Sequence, residues 1–164
     1  MNSIVTGCDH VIRSDKVNCP QRGPTLPALR LGSSGDAEMP TVLIVDDCPA
    51  VRNTLRALLE TELSSVVCIE AVNGLDAIAK AELSCPDLII LDLCMPEMNG
   101  FEAALILQKT MPQVPLFMFT SHQSGDVESE AGSAGIRAVF SKQTDINALV
   151  AQASELLDSS HALV

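Results

Sequence analysis

Thr41-Val42-Leu43-Ile44-Val45-Asp46-Asp47 and Leu88-Ile89-Ile90-Leu91-Asp92 decide the fold. Each is a short aliphatic run that ends in acid. Continuous apolar runs of this length read as strands buried on both faces, which is the habit of parallel sheets. In an open α/β sheet, chemistry is placed at the carboxyl ends of the strands. Three carboxylates gathered at such an edge repel one another unless a cation joins them. The two stretches therefore predict a hard divalent metal site with a carboxylate left to react.

From Thr41 onward the chain alternates strand and helix signals, which argues for one parallel sheet. Strands are expected at Thr41–Asp46, Val66–Glu70, Asp87–Asp92, Pro115–Thr120 and Arg137–Ser141. The first helix has Pro49 in its first turn and places Val51, Leu55, Leu58 and Leu59 on one face. The second starts at the N-cap residue Asn73 and runs to Leu83. The third opens with Asn99-Gly100-Phe101-Glu102, a capping-box pattern, and ends before Pro112. A weak helix spans Ser124–Ala134, and a last one Thr144–Asp158. Five such units predict an α/β domain with a doubly wound, five-stranded parallel sheet of flavodoxin-like (βα)5 type.

The rest of the chain bounds the function. Residues 1–38 carry Pro20, Pro24 and Pro27 with Gly23, Gly32 and Gly35, and no lasting period. They are expected to be a disordered N-terminal extension. Residues 39–160 form the expected domain and 161–164 a tail. Net charge is -11, and the acids and bases of residues 1–38 balance, so the excess acid lies in the domain. That disfavours direct contact with nucleic acid. No run resembles a membrane span or signal peptide. The six cysteines form no CxxC pair and are expected to be reduced thiols in a cytoplasmic protein. Cys48 and Cys94 read as small loop residues rather than ligands of a soft metal. His122, two residues after Thr120, could steer a water or simply face solvent.

Right-handed crossovers bring Thr120, at the end of the fourth strand, and Lys142, after the fifth, to the edge that holds the three acids. Three carboxylates, a hydroxyl and an ammonium suit phosphoryl transfer. That reaction needs in-line placement and neutralised phosphoryl oxygens more than covalent help. Two carboxylates and a backbone carbonyl suit Mg²⁺. Asp92 is the candidate nucleophile, Lys142 the candidate phosphate neutraliser and Thr120 a hydrogen-bond donor.

These residues resemble the response regulator receiver domain of two-component signalling. The resemblance covers 41–158. It rests on Val45-Asp46-Asp47, Asp92-Leu93-Cys94-Met95-Pro96-Glu97-Met98-Asn99-Gly100, Thr120 and Lys142. It implies a stand-alone receiver, not an enzyme in its own right, phosphorylated on Asp92 by a histidine kinase or phosphotransfer protein. It implies a Mg²⁺ site from Asp46, Asp47, Asp92 and the Cys94 backbone carbonyl. Thr120 would be the switch hydroxyl and Lys142 the phosphate-binding lysine. Output would pass to an unknown partner by protein–protein contact, because no output domain is expected after the last helix. Three departures bear on the switch. Val139 stands where the family often has an aromatic residue, with Phe140 expected on the opposite sheet face. Gln143 stands where a proline often follows the lysine, which removes the reason for a cis bond. Cys48 is a poor helix cap. The competing reading, a haloacid-dehalogenase-type phosphatase, needs an acid two residues after the nucleophile, where this chain has Cys94.

Overall fold

The computed structural model describes residues 39–122 and 124–161. The extension expected over 1–38 lies outside the described residues, as do residues 162–164 of the tail. Five strands, β1 (Thr41–Val45), β2 (Val67–Ala71), β3 (Leu88–Leu91), β4 (Leu116–Thr120) and β5 (Ala138–Ser141), alternate with five helices. These are α1 (Pro49–Glu62), α2 (Gly74–Ser84), α3 (Gly100–Thr110), α4 (Gly125–Ser133) and α5 (Ile146–His161). All strand pairs are parallel, in the order β2-β1-β3-β4-β5. Strand order reverses between β1 and β3, so the polar ends of these two strands flank the switch point where such sheets bind ligands.

Strand alternation divides the core in two. Val42, Ile44, Leu88, Ile90, Phe117 and Phe119 point to α1 and α5. Leu43, Val45, Ile89, Leu91, Leu116 and Met118 point to α2, α3 and α4. The same rule sends Val139 to the second layer and Phe140 to the first. There Phe140 stacks on Phe117 in a tilted pair, centroids 5.4 Å apart.

Local chemistry sets most boundaries. Asn73 accepts the Asp76 N–H and caps α2. Asn99 and Glu102 complete a reciprocal capping box on α3. Ser124 accepts the Val127 N–H, which starts the glycine-containing α4. Cys48 caps α1 with no side-chain bond, and Pro49 supplies the start. Several boundaries move from expectation, most of them by one residue. β2 begins one residue later than predicted. The last helix begins at Ile146, because Asp145 turns back so that its carboxylate accepts the Ser141 N–H. All described peptide bonds are trans, including that between Lys142 and Gln143.

The expectation of six reduced thiols needs one correction. Cys48, Cys68 and Cys94 are free, but Cys85 is disulfide-bonded. Spacing along the chain could not reveal it, since a disulfide depends on how distant cysteines approach in space. Cys68 is half-buried, and burial, followed by repulsion from Glu60, pushes its thiol up to about 11.

Candidate phosphoacceptor site

The carboxyl ends of β1 and β3 place Asp46 and Asp92 side by side, both buried at 2% and 3% exposure. Asp47 is exposed. One carboxylate oxygen from each of the three lies within 4.8 Å of the others. The turn after β5 carries Lys142 across the edge. Its Nζ lies 2.6 Å from Asp46 Oδ2 and 3.0 Å from Asp92 Oδ2. Thus one ammonium ties together the ends of β1, β3 and β5.

Backbone amides orient the two buried acids. Asp46 Oδ1 accepts the Cys48 N–H at 2.9 Å, and Asp92 Oδ1 accepts the Leu93 N–H at 2.8 Å. Burial raises the Asp92 carboxyl above its ordinary value; Lys142 opposes this by hydrogen bond and charge, and Asp46 adds to it. For Lys142, burial acts to lower its pKa, but the bonds to Asp46 and Asp92 prevail and raise it.

Thr120 is fully buried at the end of β4, beside Ser141 of β5. Its Oγ1 accepts the His122 N–H at 3.1 Å, and its carbonyl accepts the Lys142 N–H at 2.9 Å. The hydroxyl can still donate its own proton. Cys94 lies exposed in the loop after β3, with Sγ 3.6 Å from His122 Nδ1. This contact joins the loop after β3 to the residues that follow β4.

Two contacts escaped sequence reasoning. A Cβ at position 100 would run into the Asp92 carbonyl and come within 2.9 Å of Leu93 Cα. Glycine is needed there because the loop folds back, with the Gly100 N–H donating to Leu93 O at 2.9 Å. Arg52 of α1, 8% exposed, donates from its guanidinium to the Asp46 carbonyl at 2.7 Å. Arg52 stands three and seven residues before Leu55 and Leu59, on the face that α1 buries, and that spacing was the available signal, since a buried arginine is almost always paired.

The donor set fits a hard divalent ion. Its side chains offer carboxylate oxygens, and the three acids outweigh the single ammonium by two charges.

A family model, the response regulator receiver domain, matches residues 42–154. The chain belongs to this family. Its sequence is 38% identical over 103 residues to the response regulator protein VraR of Staphylococcus aureus, covering 63% of this chain and 49% of that protein. The chain thus spans about half the length of such relatives. A CheY-like receiver domain protein from Methanospirillum hungatei is similar in structure, with TM-score 0.68 and 26% identity over 74% of this chain and 96% of that one. A chemotaxis protein of Vibrio cholerae gives TM-score 0.66 and 26% identity over 73% and 99%. The protein is therefore a receiver domain of two-component response regulators, which is a signalling domain. The dehalogenase-type alternative finds no support in these similarities. Among the described residues, no helix is long and apolar enough to cross a membrane.

Proposed function

We propose that Asp92 accepts a phosphoryl group from the phosphohistidine of a histidine kinase or phosphotransfer protein. One observation carries this reading: Asp92 is a buried carboxylate with a raised pKa, held against an ammonium in a cluster short of two positive charges. Asp46, Asp47, Asp92 and the Cys94 backbone carbonyl would hold Mg²⁺. The ion would supply charge neutralisation for the phosphoryl oxygens.

The chain's own residues do the rest. A carboxylate oxygen of Asp92 bonds to phosphorus while the donor's P–N bond breaks and its electron pair returns to the imidazole. Burial makes the Asp92 anion poorly solvated, which favours its attack. Lys142, already 3.0 Å from Asp92 Oδ2, pairs with a phosphoryl oxygen. Thr120 donates its hydroxyl proton to another. Cys94 and His122 limit how water reaches the phosphoryl group.

The domain, residues 39–160, acts in the cytoplasm, catalyses nothing beyond its own phosphorylation and dephosphorylation, and signals by contact with a partner protein. The test is phosphoryl uptake from acetyl phosphate or a kinase, followed by intact mass. One phosphoryl group should appear with Mg²⁺ and vanish with chelator or in Asp92→Asn. Full labelling of that variant would assign the chemistry elsewhere.

A further inference from the structure

Asp46 and Asp47 share one peptide unit, and their side chains are held in different ways. All the polar groups of Asp46 are engaged. Its N–H donates to Ala71 O at 3.1 Å, Oδ1 accepts the Cys48 N–H and Oδ2 meets Lys142. Its carbonyl accepts Arg52. Among the described residues, no hydrogen bond or ion pair holds the exposed Asp47 carboxylate. The placement of Asp47 therefore depends on its backbone.

The peptide bond is planar, so the Asp46 carbonyl fixes the plane from which Asp47 departs. Arg52 grips that carbonyl at 2.7 Å. The guanidinium is itself anchored: its Nε donates to Glu70 Oε2 at 2.9 Å. Arg56 takes the other oxygen of Glu70. Lys80 clamps the Glu70 backbone carbonyl at 2.7 Å from the opposite side of the strand end. Arginine suits this task, because its planar fork holds two partners at a fixed angle.

We infer that Arg52, anchored by Glu70, is a positioning residue that orients the Asp46–Asp47 peptide and so presents the exposed Asp47 carboxylate to the cation. Resting on the proposed Mg²⁺ site, this adds a residue that touches neither metal nor phosphoryl group. The pair acts as one unit: Glu70 holds the guanidinium and the guanidinium holds the peptide.

Calorimetric titration of the full chain with Mg²⁺ tests the inference, together with metal-free thermal melts to confirm folding. Arg52→Gln should weaken Mg²⁺ binding by roughly 10–100-fold, the usual cost of losing a support behind a metal ligand. Arg52→Lys should recover part of the loss, since an ammonium can reach the carbonyl but cannot fork to Glu70. Glu70→Gln should weaken binding in the same direction and less. The discriminating comparison uses Asp47→Asn. In that background Arg52→Gln should cost less than about threefold, because residues acting through one group are not additive. An equal loss with Asp47 present or absent would make Arg52 a general support of α1 and overturn the inference. Unchanged affinity in a folded Arg52→Gln protein would also overturn it. If that variant does not fold, unchanged affinity in Glu70→Gln does the same. Failure of the parent protein to bind Mg²⁺ would instead strike the site reading itself, before any variant is made.

Discussion

The two layers that cover the sheet are built from different side chains. Against α1 and α5 the core packs Leu55, Leu59, Leu149 and Leu157 onto Phe117, Phe119 and Phe140. On the other side the buried helix positions are mostly alanines: Ala77, Ala81, Ala103, Ala104 and Ala131, followed by Ala134 at the α4 C-cap. Small side chains let helices sit close to the sheet, yet each buries little. At about 0.8 kcal/mol per buried methylene, a leucine anchors its helix far more firmly than an alanine. α3 compensates with Phe101, Leu107 and Met111. α4 does not; it rests on Ala131 and half-buried Val127. Its glycines at 125 and 132 meet nothing within 4 Å on the side where a Cβ would lie.

The difference places adaptability where the proposed chemistry needs it. Thr120 ends β4 on the same side as Leu116 and Met118, the alanine side. α4 follows it within a few residues. A movement of the Thr120 hydroxyl toward a phosphoryl group would meet little resistance there, whereas the leucine layer holds the acids and α1 in place. The element with the least buried apolar area is the one expected to open or shift first.

The largest effect that separates the layers should come from Phe117→Ala. It removes a fully buried ring that touches Phe140 and should cost about 3–5 kcal/mol in urea unfolding. Ala131→Gly, in the other layer, should cost only about 1 kcal/mol. Equal costs would break the comparison.

Lys142 straps the ends of β1, β3 and β5 at the side of the leucine layer, and its effect is set by pH. Its pKa is raised on folding, so its contribution is complete below the ordinary value of 10.5. It is lost as pH rises through the raised value. Stability of the metal-free protein should therefore fall steeply above pH 10.5, and Lys142→Met should lack that fall. A parallel pH dependence in both proteins, followed by circular dichroism, would remove Lys142 from this role. With no Trp or Tyr in the chain, tryptophan fluorescence is not an option.

The smallest effect should be a gain. Gly132→Ala adds a methyl into open space on α4 and should stabilise by about 0.4–1 kcal/mol. Hydrogen exchange over residues 125–133 should slow more than over α5. A loss of stability would mean that α4 is packed more tightly than its alanines suggest.

Much of this was legible in the chain because local signals agreed with the global fold. The aliphatic runs of β1 and β3, the Asn73 cap and the Asn99–Glu102 box each named an element, and alternation alone sent Phe140 away from Val139. The site acids were legible because strand ends fix where a side chain emerges. What stayed hidden depends on approach in space. The partner of the Arg52 guanidinium, the Asp92 carbonyl that demands Gly100 and the disulfide at Cys85 depend on how the chain folds back on itself, and no period or spacing names such partners. The start of the last helix was missed because Asp145 bonds backward to Ser141 instead of continuing the turn.

The most direct measurement is to locate the phosphoryl group. The phosphorylated protein, with Mg²⁺ present, is trapped by borohydride reduction of its acyl phosphate, digested and sequenced by tandem mass spectrometry. Reduction should mark a single residue, Asp92, with Asp46 and Asp47 unmodified. A mark on Asp46 or Asp47, or an unmarked Asp92 in protein known to carry the phosphoryl group, would contradict the assignment.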